Sequence, residues 1–380
     1  MTLKNCRIFD GAEFINKRAV LISNDKIIKL LSEDEVLNIN NEEIIDLNNA
    51  ILSPGFIDTQ VNGCGGVLFN DSITVEALEI MNETNHKYGC TSFLPTLITS
   101  PDEKIIKALE LIKNLPNKEE LGVLGLHIEG PNISLEKKGI HNPKYIRILS
   151  DEIISKIAEL GSDVTKIITM APEKAKVEHL KKLKESGIKV SMGHTFAKYK
   201  ECEEKEEYFK NATHLFNAMT EFGSREPGVV GYIFDKKDIY AGIIVDGFHC
   251  DFASIRVAHD ILKDKSYLLT DAVSPAGTDM KEFMFEGQRV FHENGKCFGE
   301  DGTLGGSALV MNVGVRNLVE HVKLPIDEAL RMATSYPAKA IAVDDRYGYI
   351  KDNYIADLVV LSDNFEVLGI IAKGNYKNFN

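Results

Sequence analysis

Glutamate and histidine residues stand at the ends of several short apolar runs in the middle of the chain. Glu129 belongs to the run HIEGP, His194 to GHT and His214 to THLFN. One carboxylate and two imidazoles suit a catalytic zinc or another divalent metal, because such a set leaves a coordination position for water. A metal held in this way lowers the pKa of its water toward about 7. The three residues therefore predict a catalytic metal site.

Aspartates follow two later runs of the same kind. Asp246 begins DGFH, and Asp271 lies within TDA, where it could accept a proton from the water and pass it to a leaving group. Taken singly, each residue is more often structural, since a lone histidine usually satisfies hydrogen bonds and a lone aspartate after a strand caps the next helix. Together they indicate a site, because burying so many ionisable groups is costly unless a metal or a substrate compensates.

The elements that must position these residues alternate regularly. Eight short apolar runs end in polar residues and are followed by charge-rich stretches with helical spacing. The predicted strands cover residues 51–58, 91–97, 122–129, 166–171, 189–194, 212–216, 240–246 and 267–271. Eight such units are typical of a (β/α)8 TIM barrel, in which the strand ends converge on one mouth. An open doubly wound sheet is the alternative that periodicity leaves open.

Both ends of the chain have a different sequence pattern, in which short β-like runs are separated by turn signals such as Asp10-Gly11 and Asn24-Asp25. The two ends predict one small β-sandwich domain formed from both chain termini, residues 1–50 plus 345–380. Residues 51–344 would then form the barrel domain.

Composition narrows the class of partner. The chain has 380 residues, with 44 lysines and arginines against 57 aspartates and glutamates, a net charge of -13 that disfavours nucleic acid and anionic membranes. No stretch approaches about 20 consecutive apolar residues, and the start lacks the apolar core of a signal peptide, so we expect a cytoplasmic protein. The six cysteines are scattered and predict buried thiols, including Cys64 and Cys250.

The runs PGFID, HIEGP, GHT, THLFNAM, DGFH and TDA, with the late segment GTLGGS, resemble the N-acetylglucosamine-6-phosphate deacetylase family of the amidohydrolase superfamily. The resemblance implies hydrolysis of the acetamide of N-acetyl-D-glucosamine 6-phosphate to acetate and D-glucosamine 6-phosphate, in amino-sugar metabolism. It implies that Glu129, His194 and His214 bind the metal, that Asp271 is the proton shuttle, and that His249 polarises the acetamide carbonyl.

The resemblance also implies substrate contacts, a homodimer and one divalent metal ion per chain, zinc in the first place, with iron, manganese or cobalt as alternatives. An arginine is a suitable phosphate ligand, and a loop containing glycine permits close approach to a sugar. The implied contacts are Ile140, His141, Asn217, Ala218, Arg225, His249, Leu304, Gly305 and Gly306, the last three in a loop.

One departure from the superfamily concerns a second metal. Many amidohydrolases carry two histidines after the first strand, where this chain has Gln60-Val61-Asn62. Neutral amides are poor zinc ligands, so these residues disfavour a second metal, and the alternative role for Gln60 and Asn62 is hydrogen bonding to neighbouring loops. The alternatives for function are a deacetylase of the galactosamine-6-phosphate epimer and a catalytically silent binding protein.

Overall fold

The structure is a computed structural model that describes residues 1–17, 19–36 and 43–379. Positions 18, 37–42 and 380, which the predicted domain boundaries include, lie outside the described residues. None of the described helices has the length and apolar character that a membrane crossing requires.

The centre of the molecule is one sheet of eight parallel strands, each hydrogen-bonded to its neighbour in sequence. The strands are β1 (Phe56–Val61), β2 (Cys90–Ile98), β3 (Leu126–Glu129), β4 (Thr165–Met170), β5 (Lys189–Met192), β6 (Phe209–Ala212), β7 (Tyr240–Ile244) and β8 (Ser266–Leu269). A parallel bridge between Val61 and Ala272 joins the two ends of the sheet. This closure confirms the predicted barrel over an open doubly wound sheet.

Helices pack outside the barrel strands. They are α1 (Val75–Lys87), α2 (Asp102–Asn114), α3 (Asp151–Val164), α4 (Val177–Glu185), α5 (Tyr199–Glu203), α6 (Gly228–Lys236), α7 (Phe252–Leu262), α8 (Met311–Asn317), α9 (Ile326–Ala333) and α10 (Ser335–Ala340). Thr74, Ser150 and Asp251 cap α1, α3 and α7, because their side chains accept backbone N–H bonds from the first turn. Shorter helical segments are Glu33–Val36, Leu135–Lys137, Pro143–Tyr145, Pro172–Lys174, Lys263–Lys265 and the π-helical Leu318–Val322.

Two further sheets come from the chain ends. One contains Lys26–Leu31, Ala19–Ser23, Thr2–Lys4 and Ile44–Asp46, and the other contains Arg7–Ile8, Ile51–Pro54, Leu358–Leu361, Val367–Ala372 and Asn375–Asn378, each in spatial order. Apolar side chains from both sheets form one buried cluster, as in a β-sandwich. The single strand predicted over residues 51–58 is wrong, because Ile51–Pro54 pairs with both chain ends and only the following strand, β1, enters the barrel. The exact domain boundaries stay a prediction.

A small antiparallel sheet was not predicted. It contains the strands Glu282–Phe285, Gln288–Glu293, Lys296–Gly299 and Leu304–Ser307. The predicted loop at 304–306 is therefore part of a strand. Another short ladder pairs Gly63–Cys64 with Val67–Leu68.

Four predicted strands extend two or more residues too far at their carboxyl ends. The strands predicted over 189–194, 212–216, 240–246 and 267–271 are wrong there, because β5 stops at Met192, β6 at Ala212, β7 at Ile244 and β8 at Leu269. His194 and His214 therefore lie in turns, with φ of 47° and 34°, and Asp271 beyond β8 has φ of 53°. Left-handed backbone at residues other than glycine is uncommon and clusters at functional sites.

Candidate active site

The carboxyl ends of the barrel strands surround a cavity of about 350 Å³. Glu129 is the last residue of β3, and His194, His214 and Asp271 each follow a strand by two residues. All four line the cavity; the histidines and the glutamate are more than nine-tenths buried, and Asp271 is half-buried. The barrel thus brings together the residues predicted for metal binding and proton transfer.

Three potential metal ligands lie close together. Glu129 Oε1 is 2.9 Å from His214 Nε2 and 3.2 Å from His194 Nε2, and the two nitrogens are 3.1 Å apart. Ligand atoms about 2.0–2.1 Å from a tetrahedral zinc lie about 3.3 Å from one another, so the three atoms fit one metal ion. His194 Nδ1 is 2.8 Å from the Lys137 carbonyl, which favours a proton on Nδ1 and leaves Nε2 free to ligate.

A third imidazole stands beside this group. Ligand atoms of Glu129, His141 and His194 lie within 4.8 Å of one another. His141 Nδ1 is 2.8 Å from Thr99 Oγ1, so its Nε2 remains for a metal or a substrate. Burial alone would raise the pKa of Glu129, but hydrogen bonds and charges from His194 and His214 lower it well below its ordinary value. The site therefore holds a carboxylate that is ready to ligate.

Asp271 faces two amides across the junction of β1 and β8. Its Oδ1 accepts hydrogen bonds from Gln60 Nε2 at 2.9 Å and from Asn62 Nδ2 at 2.6 Å. Burial raises the pKa of Asp271 to about 6, the charge of Glu129 adds to the rise, and the hydrogen bond from Asn62 opposes it. Asp271 begins no helix, since the next α-helix after it is α8, so the alternative of a helix cap does not hold. Gln60 and Asn62 contact this carboxylate directly.

His249 forms a pair with Asp246 at the end of β7. Its Nδ1 is 2.7 Å from Asp246 Oδ2, while Asp246 Oδ1 accepts the backbone N–H groups of Phe248 and His249 at 2.9 Å. Both side chains are more than nine-tenths buried. Burial would raise the pKa of Asp246, but the hydrogen bond and charge of His249 and the backbone donors lower it. The sequence contained Asp246, but no role was predicted for it.

Most of the predicted substrate contacts also line the cavity. They are Ile140, His141, Asn217, Ala218, His249, Leu304 and Gly306. Gly306 has φ of 70°, and a Cβ there would lie 2.5 Å from Val273 Cγ1, so only glycine fits this wall of the cavity. Gly305 does not line the cavity, although a Cβ there would lie 3.5 Å from Ile140 Cδ1.

Arg225 is the other predicted contact that lies outside the cavity lining. It is exposed, in the loop between β6 and α6, and is not among the residues that line the cavity. Phe285, in the unpredicted antiparallel sheet, and Thr303, directly before its last strand, do line it, and sequence reasoning missed both. The alternating residues of segment 282–293 were the signal that could have revealed that sheet.

Comparisons with known proteins agree with this architecture. The amidohydrolase family matches residues 51–377. N-acetylglucosamine-6-phosphate deacetylase from Haemophilus influenzae is 41% identical over 381 residues, which cover 99% of this chain and 98% of that protein. N-acetylgalactosamine-6-phosphate deacetylase from a Shewanella species is 36% identical over 332 residues, 86% of this chain and 83% of that protein. The crystal structure of N-acetylglucosamine-6-phosphate deacetylase from Pasteurella multocida is 42% identical, with 99% of each chain covered and a TM-score of 0.95.

Proposed function

The chain belongs to the amidohydrolase family, and from this premise we propose that it hydrolyses N-acetylglucosamine 6-phosphate to glucosamine 6-phosphate and acetate. The observation that carries the proposal is the convergence of Glu129, His194, His214 and Asp271 on one cavity. The volume of about 350 Å³ lies within the range of small-molecule sites.

Glu129, His194 and His214 would hold one divalent metal, for which we propose zinc. When bound, the metal supplies a Lewis acid that activates water and polarises the acetamide carbonyl. We assign His141 to the substrate, because His214 Nε2 lies within 3.1 Å of the ligand atoms of both other residues and completes the set without it. Iron, manganese and cobalt accept the same donors, so metal analysis of the purified protein identifies the native ion.

Asp271 would carry the proton. It takes a proton from the attacking water and delivers it to the amine nitrogen as the C–N bond breaks. Its raised pKa keeps the carboxyl group close to the range in which it can both accept and donate at neutral pH.

His249 would polarise the acetamide oxygen. To donate from Nε2 while Nδ1 donates to Asp246, the ring must carry protons on both nitrogens. The Asp246 carboxylate balances that positive charge in a buried setting, and its two backbone donors fix its orientation. The pair would therefore stabilise the oxyanion that develops during attack.

Arg225 would bind the phosphate, because an anionic substrate needs a local cation on a chain whose net charge is -13. Because Arg225 is exposed outside the cavity lining, either its loop must move or a second copy in the homodimer that we propose must supply it. We propose a cytoplasmic location, where the six buried cysteines would remain thiols.

The test is acetate release from N-acetylglucosamine 6-phosphate, its galactosamine epimer and both unphosphorylated sugars, on protein of measured metal content. We expect the 6-phosphate of N-acetylglucosamine to give the highest kcat/KM. Absence of acetate release from every substrate with metal-replete protein would refute the proposal and favour a binding role.

A second candidate is the deacetylation of N-acetylgalactosamine 6-phosphate. The Shewanella relative, which carries that name, matches 86% of the chain at 36% identity. The two sugars differ in the orientation of one hydroxyl, so the same metal site and proton shuttle serve both. A higher kcat/KM for the galactosamine epimer in the same panel would select this function.

A further inference from the structure

Gln60 and Asn62 lie at the carboxyl end of β1, and the structure gives both amides a specific set of partners. Gln60 Nε2 lies 3.0 Å from both carboxylate oxygens of Glu129 and 2.9 Å from Asp271 Oδ1. Asn62 Nδ2 donates to the same Asp271 oxygen at 2.6 Å. One amide therefore links the predicted metal ligand to the predicted proton shuttle, and the other secures the shuttle alone.

The oxygen atoms of the two side-chain amides lack hydrogen-bond partners among the described residues. Gln60 Oε1 and Asn62 Oδ1 are buried without a hydrogen-bond partner among the described residues. An unpartnered buried acceptor is destabilising, so satisfaction of the fold alone does not explain these side chains. The carboxylates select this orientation, because the reverse one would set amide oxygens against carboxylate oxygens.

Hydrogen bonds at the junction of β1 and β8 hold the two amides and Asp271 on opposite sides of that junction. Asp58 accepts hydrogen bonds from the backbone N–H groups of Gln60 and Thr270, both at 3.2 Å. Asn62 N–H donates to the Ala272 carbonyl at 2.9 Å. The ends of β1 and β8 are thereby fixed against each other on both sides of Asp271.

We propose that Gln60 and Asn62 are positioning residues that orient the Asp271 carboxylate for proton transfer. Imidazoles at these positions would offer lone pairs to a second metal, and Asp271 could then become a ligand of that metal. Amide N–H groups instead hold the carboxylate with neutral donors and leave it available to take a proton. The inference rests on the proposed function, since it gives Asp271 the role of proton shuttle.

The experiment compares Gln60→Met, Asn62→Leu and the double variant with the wild-type protein. Each change removes a donor and roughly preserves volume. The matched control is Asn211→Leu, because Asn211 is also a buried amide, donates to the Ala340 carbonyl at 3.0 Å and does not line the cavity. Measurements are kcat and KM for acetate release, the pH profile of kcat/KM, metal content and the thermal midpoint.

We expect the double variant to lose at least about tenfold in kcat, the order of one hydrogen bond to a charged group, with KM within about twofold and the metal retained. Loss of the donors raises the pKa of Asp271, so the acidic limb of the profile moves to higher pH. The other charged groups that act on Asp271 are Glu129, His214 and His249, which remain in place. Asn211→Leu should lower the thermal midpoint and leave the profile unchanged.

A double variant with wild-type kcat, or one whose lower kcat follows loss of metal or comes without a shift of the acidic limb, would overturn the inference. Failure of the wild-type protein to release acetate from any substrate would overturn the proposed function itself. An active wild type beside an unaffected double variant overturns only the positioning role.

Discussion

Asp246→Asn tests the proposal that the Asp246 carboxylate supports His249 in polarising the acetamide oxygen. The substitution keeps the shape of the side chain and removes the charge that His249 Nδ1 faces at 2.7 Å. The oxygen that accepts two backbone N–H groups at 2.9 Å is retained, so the new amide nitrogen points at the imidazole. The ring must then accept at Nδ1 and become neutral, and its Nε2–H loses the positive charge behind it.

The expected fall in kcat follows from the type of hydrogen bond that the substitution weakens, the one between His249 and Asp246. A hydrogen bond to a charged partner contributes about 1.5–3 kcal/mol, and at about 1.36 kcal/mol per factor of ten this predicts a fall in kcat of roughly 10- to 150-fold. Metal content should not change, because Asp246 lies outside the predicted ligand set. Initial rates of acetate release across substrate concentrations, with metal analysis of the same sample, measure both quantities.

Asp251→Asn is the matched control from the same loop. Asp251 caps α7 by accepting the Ala253 N–H at 2.7 Å, and asparagine caps a helix equally well. The control should therefore retain both kcat and thermal midpoint. Wild-type kcat in Asp246→Asn would refute the role of the pair, and a kcat that falls only in step with metal content would assign Asp246 to support of the metal site.

Three further outcomes are expected. Purified protein should contain about one tightly bound divalent metal per chain and lose activity to a strong chelator, and two equivalents that are both needed for full rate would contradict this. Asp271→Asn should keep the fold and the metal but lose roughly 10²–10⁴-fold in kcat, so turnover near the wild-type rate would exclude Asp271 as the shuttle. Arg225→Ala should lower kcat/KM for the phosphorylated sugar by roughly 10- to 150-fold and hardly alter the rate on the unphosphorylated sugar, whereas equal losses on both would indicate a structural role.

The sequence predicted the barrel and its convergence of side chains for a physical reason. Parallel strands of a closed barrel bring their carboxyl ends together whatever the loops do, so polar residues at the ends of several apolar runs must meet there. Glu129, His194 and His214 meet in this way. The roles of these residues in metal binding and catalysis stay predictions.

Other features depend on contacts that periodicity does not encode. The hydrogen bond from Gln60 to Asp271 joins residues 211 positions apart and exists only because β1 and β8 meet when the barrel closes. The antiparallel sheet over residues 282–307 packs Phe285 and Val290 into a small separate cluster, and only its last strand had been given a prediction, as a loop over residues 304–306. Exposure of Arg225 is set by the path of its own loop, which no run of apolar residues determines.

The closure of the barrel explains why Asp271 and the amides of Gln60 and Asn62 lie close together. β1 and β8 are the two ends of the hydrogen-bonded strand order, and among the described residues one bridge, Val61 with Ala272, pairs this junction. Asp58 replaces part of the missing ladder by accepting the N–H and the hydroxyl of Thr270. Beyond this pairing, Asn62 and Asp271 line the cavity, and Gln60 hydrogen-bonds Asp271 from beside them. The residues that close the barrel are thus the neighbours of Asp271, the proposed proton shuttle.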